Sequence, residues 1–122
     1  MVSSANLVAQ FEATWTEEQI RLHFAARDSI DSIMAAVFPE IGRQVRSGGT
    51  DEFRIQRWLP EAFRREGLVA DASPIVAVNR NSSDPHYSPT ADHRSRIRDG
   101  DFILLDVWGK KSAPSAVYYD IS

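Results

Sequence analysis

The stretch that decides the fold is FILLDVW at residues 102–108, followed after a short connector by AVYYDI at residues 116–121. Both runs are apolar and contain β-branched and aromatic residues, which favour strands. The connector, residues 109–115, contains glycine, serine and proline, so a β-hairpin is the simplest pairing of the two runs. Each run carries one carboxylate near its end, Asp106 in the first and Asp120 in the second.

These two aspartates are the first candidate for a functional site. Burying an unpaired carboxylate among apolar side chains is unfavourable unless a partner or a metal ion neutralises it. On paired strands Asp106 and Asp120 can share one face, where they would repel each other unless a divalent cation lay between them. The alternative is that each aspartate caps a strand end or pairs with an arginine, and the spacing alone favours that alternative.

The N-terminal half of the chain predicts a helix that begins after Thr16. Thr16 and Gln19 have the spacing of a capping box. An apolar stripe at helical spacing follows, and it consists of Ile30, Ile33, Met34, Val37, Ile41 and Val45. Pro39 interrupts the stripe, so we expect a kink or a break after Phe38. Gly48-Gly49 supplies the stop.

A second helix is predicted to begin at Thr50 or Asp51 and to stop at Gly67, antiparallel to the first. Pro60 lies inside its apolar pattern, and a break or bend is expected there. The helical spacing of apolar residues ends after Gly67. Residues 75–78 are then predicted to form a strand and residues 79–89 a loop. The fold class is therefore α+β, with N-terminal helices over residues 14–67 followed by antiparallel β-structure over residues 74–122.

Two further groups of polar residues could carry chemistry. His86 lies in the Pro-containing loop before the hairpin, where a lone histidine is more often part of the surface than a functional group. Arg94, Arg96 and Arg98 form the one candidate for binding phosphate. Aspartates flank these arginines and no aromatic residue is interleaved, so a solvated connector is favoured and no nucleic-acid partner is expected.

Composition excludes several functional classes. The 122 residues carry a net charge of −3 and contain no cysteine, which rules out disulfides and thiolate chemistry and is compatible with a reducing compartment. No basic n-region with an apolar run opens the sequence, and no apolar stretch approaches the roughly 20 residues that span a bilayer. A cytoplasmic protein with no membrane partner is the expectation.

The order of several short segments resembles the M24 metallopeptidase family, and within it the Xaa-Pro aminopeptidase/prolidase branch. The β-part segments that carry the resemblance are Pro74–Val78, Asn81–Tyr87, Ile97–Asp101, Leu104–Asp106 and Tyr119–Ser122, and the helical ones are Leu7–Val8, Phe11–Thr16 and Phe63–Leu68. The resemblance covers nearly the whole chain, and the order and spacing carry more weight than any single segment. It implies the front part of a pita-bread domain over residues 1–122.

The resemblance also implies a chemistry. Asp106 and Asp120 match the family's two metal-ligand aspartates, and His86 matches the histidine that binds substrate and assists proton transfer. Family members use two divalent metal ions, commonly Mn or Co and in some cases Zn or Fe, around a bridging water. The implied substrate is a peptide, with proline at the second position in the Xaa-Pro branch.

This sequence departs from the family pattern in one important respect. The family completes its site with a further histidine and two glutamates, and no residues here match them. We therefore expect a truncated, inactive chain with weak or absent metal binding. The alternative function is a non-catalytic pita-bread-like module that binds peptides or proteins. Exposed strand edges would favour aggregation or a homodimer.

Overall fold

The computed structural model describes residues 15–122. Along the chain lie α1 (Glu17–Arg46), β1 (Thr50–Asp51), α2 (Glu52–Arg65), β2 (Leu68–Val69), β3 (Ile75–Val78), a 3-10 turn (Asn79–Ser83), β4 (Arg96–Ile97), β5 (Ile103–Lys111) and β6 (Tyr119–Ile121). All strand pairs are antiparallel. The predicted α+β class, with helices followed by antiparallel strands, is confirmed. The part of the family resemblance at residues 7–14 lies outside the described residues.

The predicted capping box at the start of α1 is present. The Thr16 hydroxyl oxygen accepts from the backbone N–H of Gln19 at 3.0 Å, and the Gln19 side-chain oxygen accepts from the backbone N–H of Thr16 at 2.9 Å. Two of the helix's first N–H groups would otherwise lack partners, so this local exchange specifies where the helix begins. At the other end, α1 finishes at Arg46 just before Gly48, whose φ of 125° is accessible to glycine.

The break predicted as one outcome at each internal proline does not occur, because α1 and α2 each run through their proline without interruption. The kink or bend, the other predicted outcome, stays a prediction. Pro39 and Pro60 are both exposed, so neither proline ring has to be accommodated in the core. Buried residues flank each proline, among them Val37 and Ile41 in α1 and Leu59 in α2. Burying each such side chain contributes about 1.5–3 kcal/mol, which offsets a proline penalty of about 3 kcal/mol.

Strand β5 organises the sheet, since β2, β3 and β6 all pair with it. The predicted hairpin of β5 with β6 is confirmed, with Val107 opposite Ile121 and Gly109 opposite Tyr119. Its bounds differ from the prediction: β5 continues to Lys111, and β6 begins at Tyr119 rather than at residue 116. The connection keeps its predicted length of seven residues but lies three residues later, at residues 112–118, where Pro114 cannot donate a ladder hydrogen bond.

The core lies between this sheet and the two helices. Leu105 and Val107 of β5 point toward α1, where Ile30 and Val37 are fully buried. Lys111 ties the layers together at the edge, since its ammonium group donates to the Ser29 hydroxyl at 2.7 Å. The opposite face of β5, with the even-numbered residues, is left partly open. Within residues 15–122, none of the helices has both the length and the apolarity that crossing a bilayer requires.

Candidate functional site

The strand register puts the two predicted aspartates on the same face of the sheet. Trp108 pairs with Asp120, so the side chains of these two residues share a face. Asp106 lies two residues before Trp108 in the same strand and therefore points the same way. Asp106 and Asp120 are diagonal neighbours, a relation that separates Cα atoms by about 7–8 Å. Carboxylates at that separation can both reach one small cluster of cations.

The carboxylates of Asp106 and Asp120 have no partner among residues 15–122. Within residues 15–122, no hydrogen-bond donor or arginine contacts the carboxylate of Asp106 or Asp120, so the strand-capping and arginine-pairing alternative finds no support there. Asp106 is half-buried and Asp120 is exposed. Asp120 is the more exposed of the two because β6 is a short outer strand with only β5 beside it. Both oxygen pairs remain open to a ligand.

Trp108 shares this face, directly opposite Asp120 and two residues after Asp106. Its indole N–H donates to Asp71 Oδ1 at 2.9 Å, which directs the ring toward the loop between β2 and β3. Asp71 is thereby engaged with a neutral donor.

His86 lies in the loop after the 3-10 turn, with an exposed side chain. Its backbone N–H donates to Asp84 Oδ1 at 2.9 Å, so a local turn fixes the backbone just before it. The next residue, Tyr87, is buried. In the part of the chain that the structure describes, no three His, Cys, Asp or Glu side chains gather closely enough to hold a metal ion. His86 is therefore not gathered with Asp106 and Asp120 into one metal-binding group.

A buried glutamate anchors the loop that carries His86. Glu52 is fully buried at the first position of α2. Its Oε1 accepts from the Tyr87 hydroxyl at 2.5 Å and from the Ser95 N–H at 2.6 Å, and its Oε2 accepts from the Val78 N–H at 2.7 Å and from Asn81 Nδ2 at 3.1 Å. All four groups are donors, which is the pattern that an ionised carboxylate satisfies. The start of a helix also favours negative charge.

The consequence is that both ends of the loop are held by one side chain. Val78 is the last residue of β3, and Ser95 directly precedes β4. One helical turn after Glu52, Gln56 Nε2 donates to the Pro74 carbonyl at 2.9 Å and to the Ser88 hydroxyl at 3.1 Å. Burial and then the bond to Glu52 raise the pKa of the Tyr87 phenol well above its usual range, so this hydroxyl stays a donor.

Sequence reasoning missed Glu52, although a signal was available. Glu52 precedes Ile55, Gln56 and Leu59 by three, four and seven positions, which puts it on the buried face of α2. A carboxylate on the apolar stripe of a helix requires partners. Those partners come from residues 26 to 43 positions away in the chain, and no local pattern predicts them.

His23 and His93 have structural contacts. His23 Nδ1 lies 2.9 Å from the Tyr118 carbonyl oxygen, and its ring packs edge-on against Tyr119 at 5.6 Å between centroids, which ties α1 to β6. His93 packs edge-on against Tyr87 at 6.2 Å. Neither contact brings a histidine to the aspartates.

The fold and this face define a class of protein: an α+β chain whose antiparallel sheet presents two carboxylates that have no partner in the described part of the chain. Such groups are ligands that suit hard divalent cations. A family model described as metallopeptidase family M24 matches residues 13–117, and the chain belongs to this family. Its helices and antiparallel sheet correspond to part of the family's pita-bread domain.

Two relatives carry more specific names. The chain is 27% identical over 82 residues to the "Putative Xaa-Pro aminopeptidase" of Mycoplasma pneumoniae, covering 66% of this chain and 22% of the relative. It is 32% identical over 56 residues to the protein of the same name from Mycoplasma genitalium, covering 45% of this chain and 15% of the relative. The match therefore spans less than a quarter of the length of these relatives.

Proposed function

We propose that these residues form part of a metal-dependent aminopeptidase site of the Xaa-Pro type, within a partial pita-bread domain. Asp106 and Asp120 would hold divalent metal ions, and His86 would bind the substrate and assist proton transfer. The observation that supports this proposal is the pair of carboxylates on one face, without a protein partner among residues 15–122. The substrate would be a peptide with proline at its second position, as the names of the relatives suggest.

The chemical type of these ligands fits such a metal site. Carboxylate oxygens suit Mn, Mg or Ca and, less exclusively, Zn, and we propose Mn or Co, with Zn or Fe as substitutes. When bound, two such ions lower the pKa of a shared water and polarise the peptide carbonyl. The protein's own contribution is to fix Asp106 on β5 and Asp120 on the neighbouring β6, and to hold His86 next to Tyr87, whose hydroxyl is bound by Glu52.

The number of ligands is too small for a complete metal site. Two carboxylates leave most coordination positions to water, and no further ligands join them within residues 15–122. We therefore propose that this chain by itself binds metal weakly and does not hydrolyse peptides. The cytoplasmic location and the homodimer remain predictions.

Manganese titration followed by NMR tests the proposal, because paramagnetic Mn²⁺ broadens signals near its binding site. Broadening is expected around Asp106 and Asp120, and it should fall sharply in Asp106→Asn and in Asp120→Asn. Asp28→Asn is the matched control, since Asp28 is exposed on α1 and pairs with Arg27 at 3.0 Å. Broadening that both site variants leave unchanged would overturn the metal assignment. Metal-dependent cleavage of an X-Pro peptide by this chain would overturn the proposed inactivity.

The second candidate function is a non-catalytic module that binds peptides or proteins. The absence of a three-ligand group within residues 15–122 favours it. Peptide titration without metal separates the two functions. Binding of an X-Pro peptide that is independent of Mn²⁺ and unchanged in Asp106→Asn supports the module, whereas binding that needs both Mn²⁺ and Asp106 supports the metal site.

A further inference from the structure

A basic cleft lies at the start of α2, away from the aspartates. We call it the arginine cleft; it has a volume of about 310 Å³ and is lined by Gly48, Gly49, Thr50, Asp51, Arg54, Arg94 and Arg96. Three arginines and one aspartate give this lining a formal charge of +2, in a chain whose net charge is −3. A concentration of positive charge on an acidic protein requires an explanation.

The three guanidinium groups are only lightly engaged. Arg54 Nη1 donates to the Gly49 carbonyl at 3.3 Å, Arg96 Nη2 donates to the Gly48 carbonyl at 3.4 Å, and Arg94 Nη1 lies 3.8 Å from Asp51 Oδ2. These are long contacts, and each guanidinium has five N–H donors. Most of the donors that face the cleft are thus available to a ligand.

The arginines are nevertheless held in place. Arg96 is part of β4 and pairs with Asp51 of β1. Gly49 has a φ of 108°, and a Cβ atom at this position would lie 2.5 Å from Arg96 Nη2, so the guanidinium rests directly against a turn that only glycine allows. The guanidinium carbon of Arg94 lies over the Phe53 ring, 5.7 Å from the ring centroid. Arginines that already rest against fixed groups, as Arg94 and Arg96 do, lose less side-chain freedom when a ligand binds.

Two of the N–H groups at the helix start already have acceptors within the protein. Asp51 Oδ1 accepts from the Arg54 N–H at 2.9 Å, and the Glu52 N–H donates to the Ser95 carbonyl at 3.0 Å. Any anion in the cleft would therefore be held by the guanidinium forks, whose geometry matches tetrahedral oxyanions with several oxygens. In the sequence, Arg94, Arg96 and Arg98 are the candidate for phosphate, although a solvated connector is favoured there. The structure replaces Arg98, which lines a separate cavity, with Arg54.

We propose that the arginine cleft binds an oxyanion of the phosphate class, either free or carried on a phosphorylated peptide. The lining keeps a charge of +2 after Asp51 has neutralised one arginine, and this charge complements a phosphate dianion better than a carboxylate with a single negative charge. This site is separate from the aspartate face and does not depend on the peptidase function.

Calorimetry on the 122-residue chain tests this proposal, with inorganic phosphate, pyrophosphate and a phosphoserine peptide as probes. Saturable binding that weakens at high salt is expected for at least one probe. Arg54→Ala and Arg94→Ala should each lower the affinity about tenfold, which is the loss of a charge-assisted contact. Arg98→Ala is the matched control and should leave the affinity unchanged. Circular dichroism will check that each variant stays folded.

Asp51→Asn provides a test in the opposite direction. Asparagine caps a helix as well as aspartate does, so the fold should be kept while one negative charge leaves the cleft. The affinity for the probe should rise. The probe that binds identifies the source of the ligand. Binding of the inorganic anions but not of the peptide indicates a free oxyanion, and binding of the peptide but not of the inorganic anions indicates a phosphorylated partner. No saturable binding by any probe, or an equal loss in Arg98→Ala and Arg54→Ala, overturns the proposal.

Discussion

Removing the carboxylate of Glu52 should destabilise the protein more than removing any exposed acid. Glu52→Ala leaves four donors without their acceptor. Two of them, the Val78 N–H and the Tyr87 hydroxyl, are buried, whereas the donors of Asn81 and Ser95 are partly buried and can turn to water. A buried donor without a partner costs about 1–3 kcal/mol. The two buried donors together predict a loss of about 2–6 kcal/mol in the free energy of unfolding.

A loss of that size is large, because the whole free energy of unfolding of a domain is about 5–15 kcal/mol. Urea denaturation followed by circular dichroism measures it. Glu61→Ala is the matched control, since Glu61 lies in the same helix, is exposed, and pairs with Arg64 at the surface. The control should denature at nearly the wild-type urea concentration. Hydrogen exchange should show that the Val78 amide loses protection in Glu52→Ala.

A double-mutant cycle separates this reasoning from a general packing defect. Tyr87→Phe alone removes one donor while the carboxylate keeps three, so the expected loss is about 1 kcal/mol. In the Tyr87→Phe background, Glu52→Ala no longer strands a hydroxyl and should cost about 1–3 kcal/mol less than in the wild type. A cost of Glu52→Ala below about 1 kcal/mol, or an unchanged cost in the Tyr87→Phe background, would show that the buried donors do not depend on the Glu52 carboxylate.

Two further predictions concern pH and helix α1. Asp101 accepts hydrogen bonds from the Arg98 N–H and from the Asn79 side chain, and these bonds lower its pKa in the folded protein below the ordinary value of 3.8. The ionised Asp101 therefore stabilises the fold fully when the pH is above the pKa of the unfolded chain. This stabilisation is lost as the pH falls through the lower pKa of the folded protein. The difference in urea midpoint between the wild type and Asp101→Asn should shrink as the pH is lowered from neutral toward 3, and a constant difference would contradict this account. Pro39→Ala should raise the melting temperature, because it restores an N–H to an exposed position of a continuous helix at a gain of up to about 3 kcal/mol. A lower melting temperature would show that Pro39 makes a packing contribution of its own.

Much of the fold followed from rules that act over a few residues. The Thr16 cap, the stop at Gly67 and the strand at residues 75–78 depend on neighbours in the chain. The shared face of Asp106 and Asp120 followed from two apolar runs and a turn, since side chains alternate along a strand. The bounds of β5 and β6 were less accurate, because ladder pairing rather than composition decides where a strand ends.

The amino-acid sequence by itself determined the class of fold, the helix starts and the pair of aspartates, because caps, turns and periodicity are local. Only the tertiary structure decided that both helices continue through their prolines, since burial on the opposite face offsets the lost backbone bond. It also decided the acceptor role of Glu52 and the arginine cleft. In the cleft Arg96 meets a carbonyl 48 positions earlier in the chain. Buried charges and converging arginines depend on partners that folding brings together from distant parts of the chain.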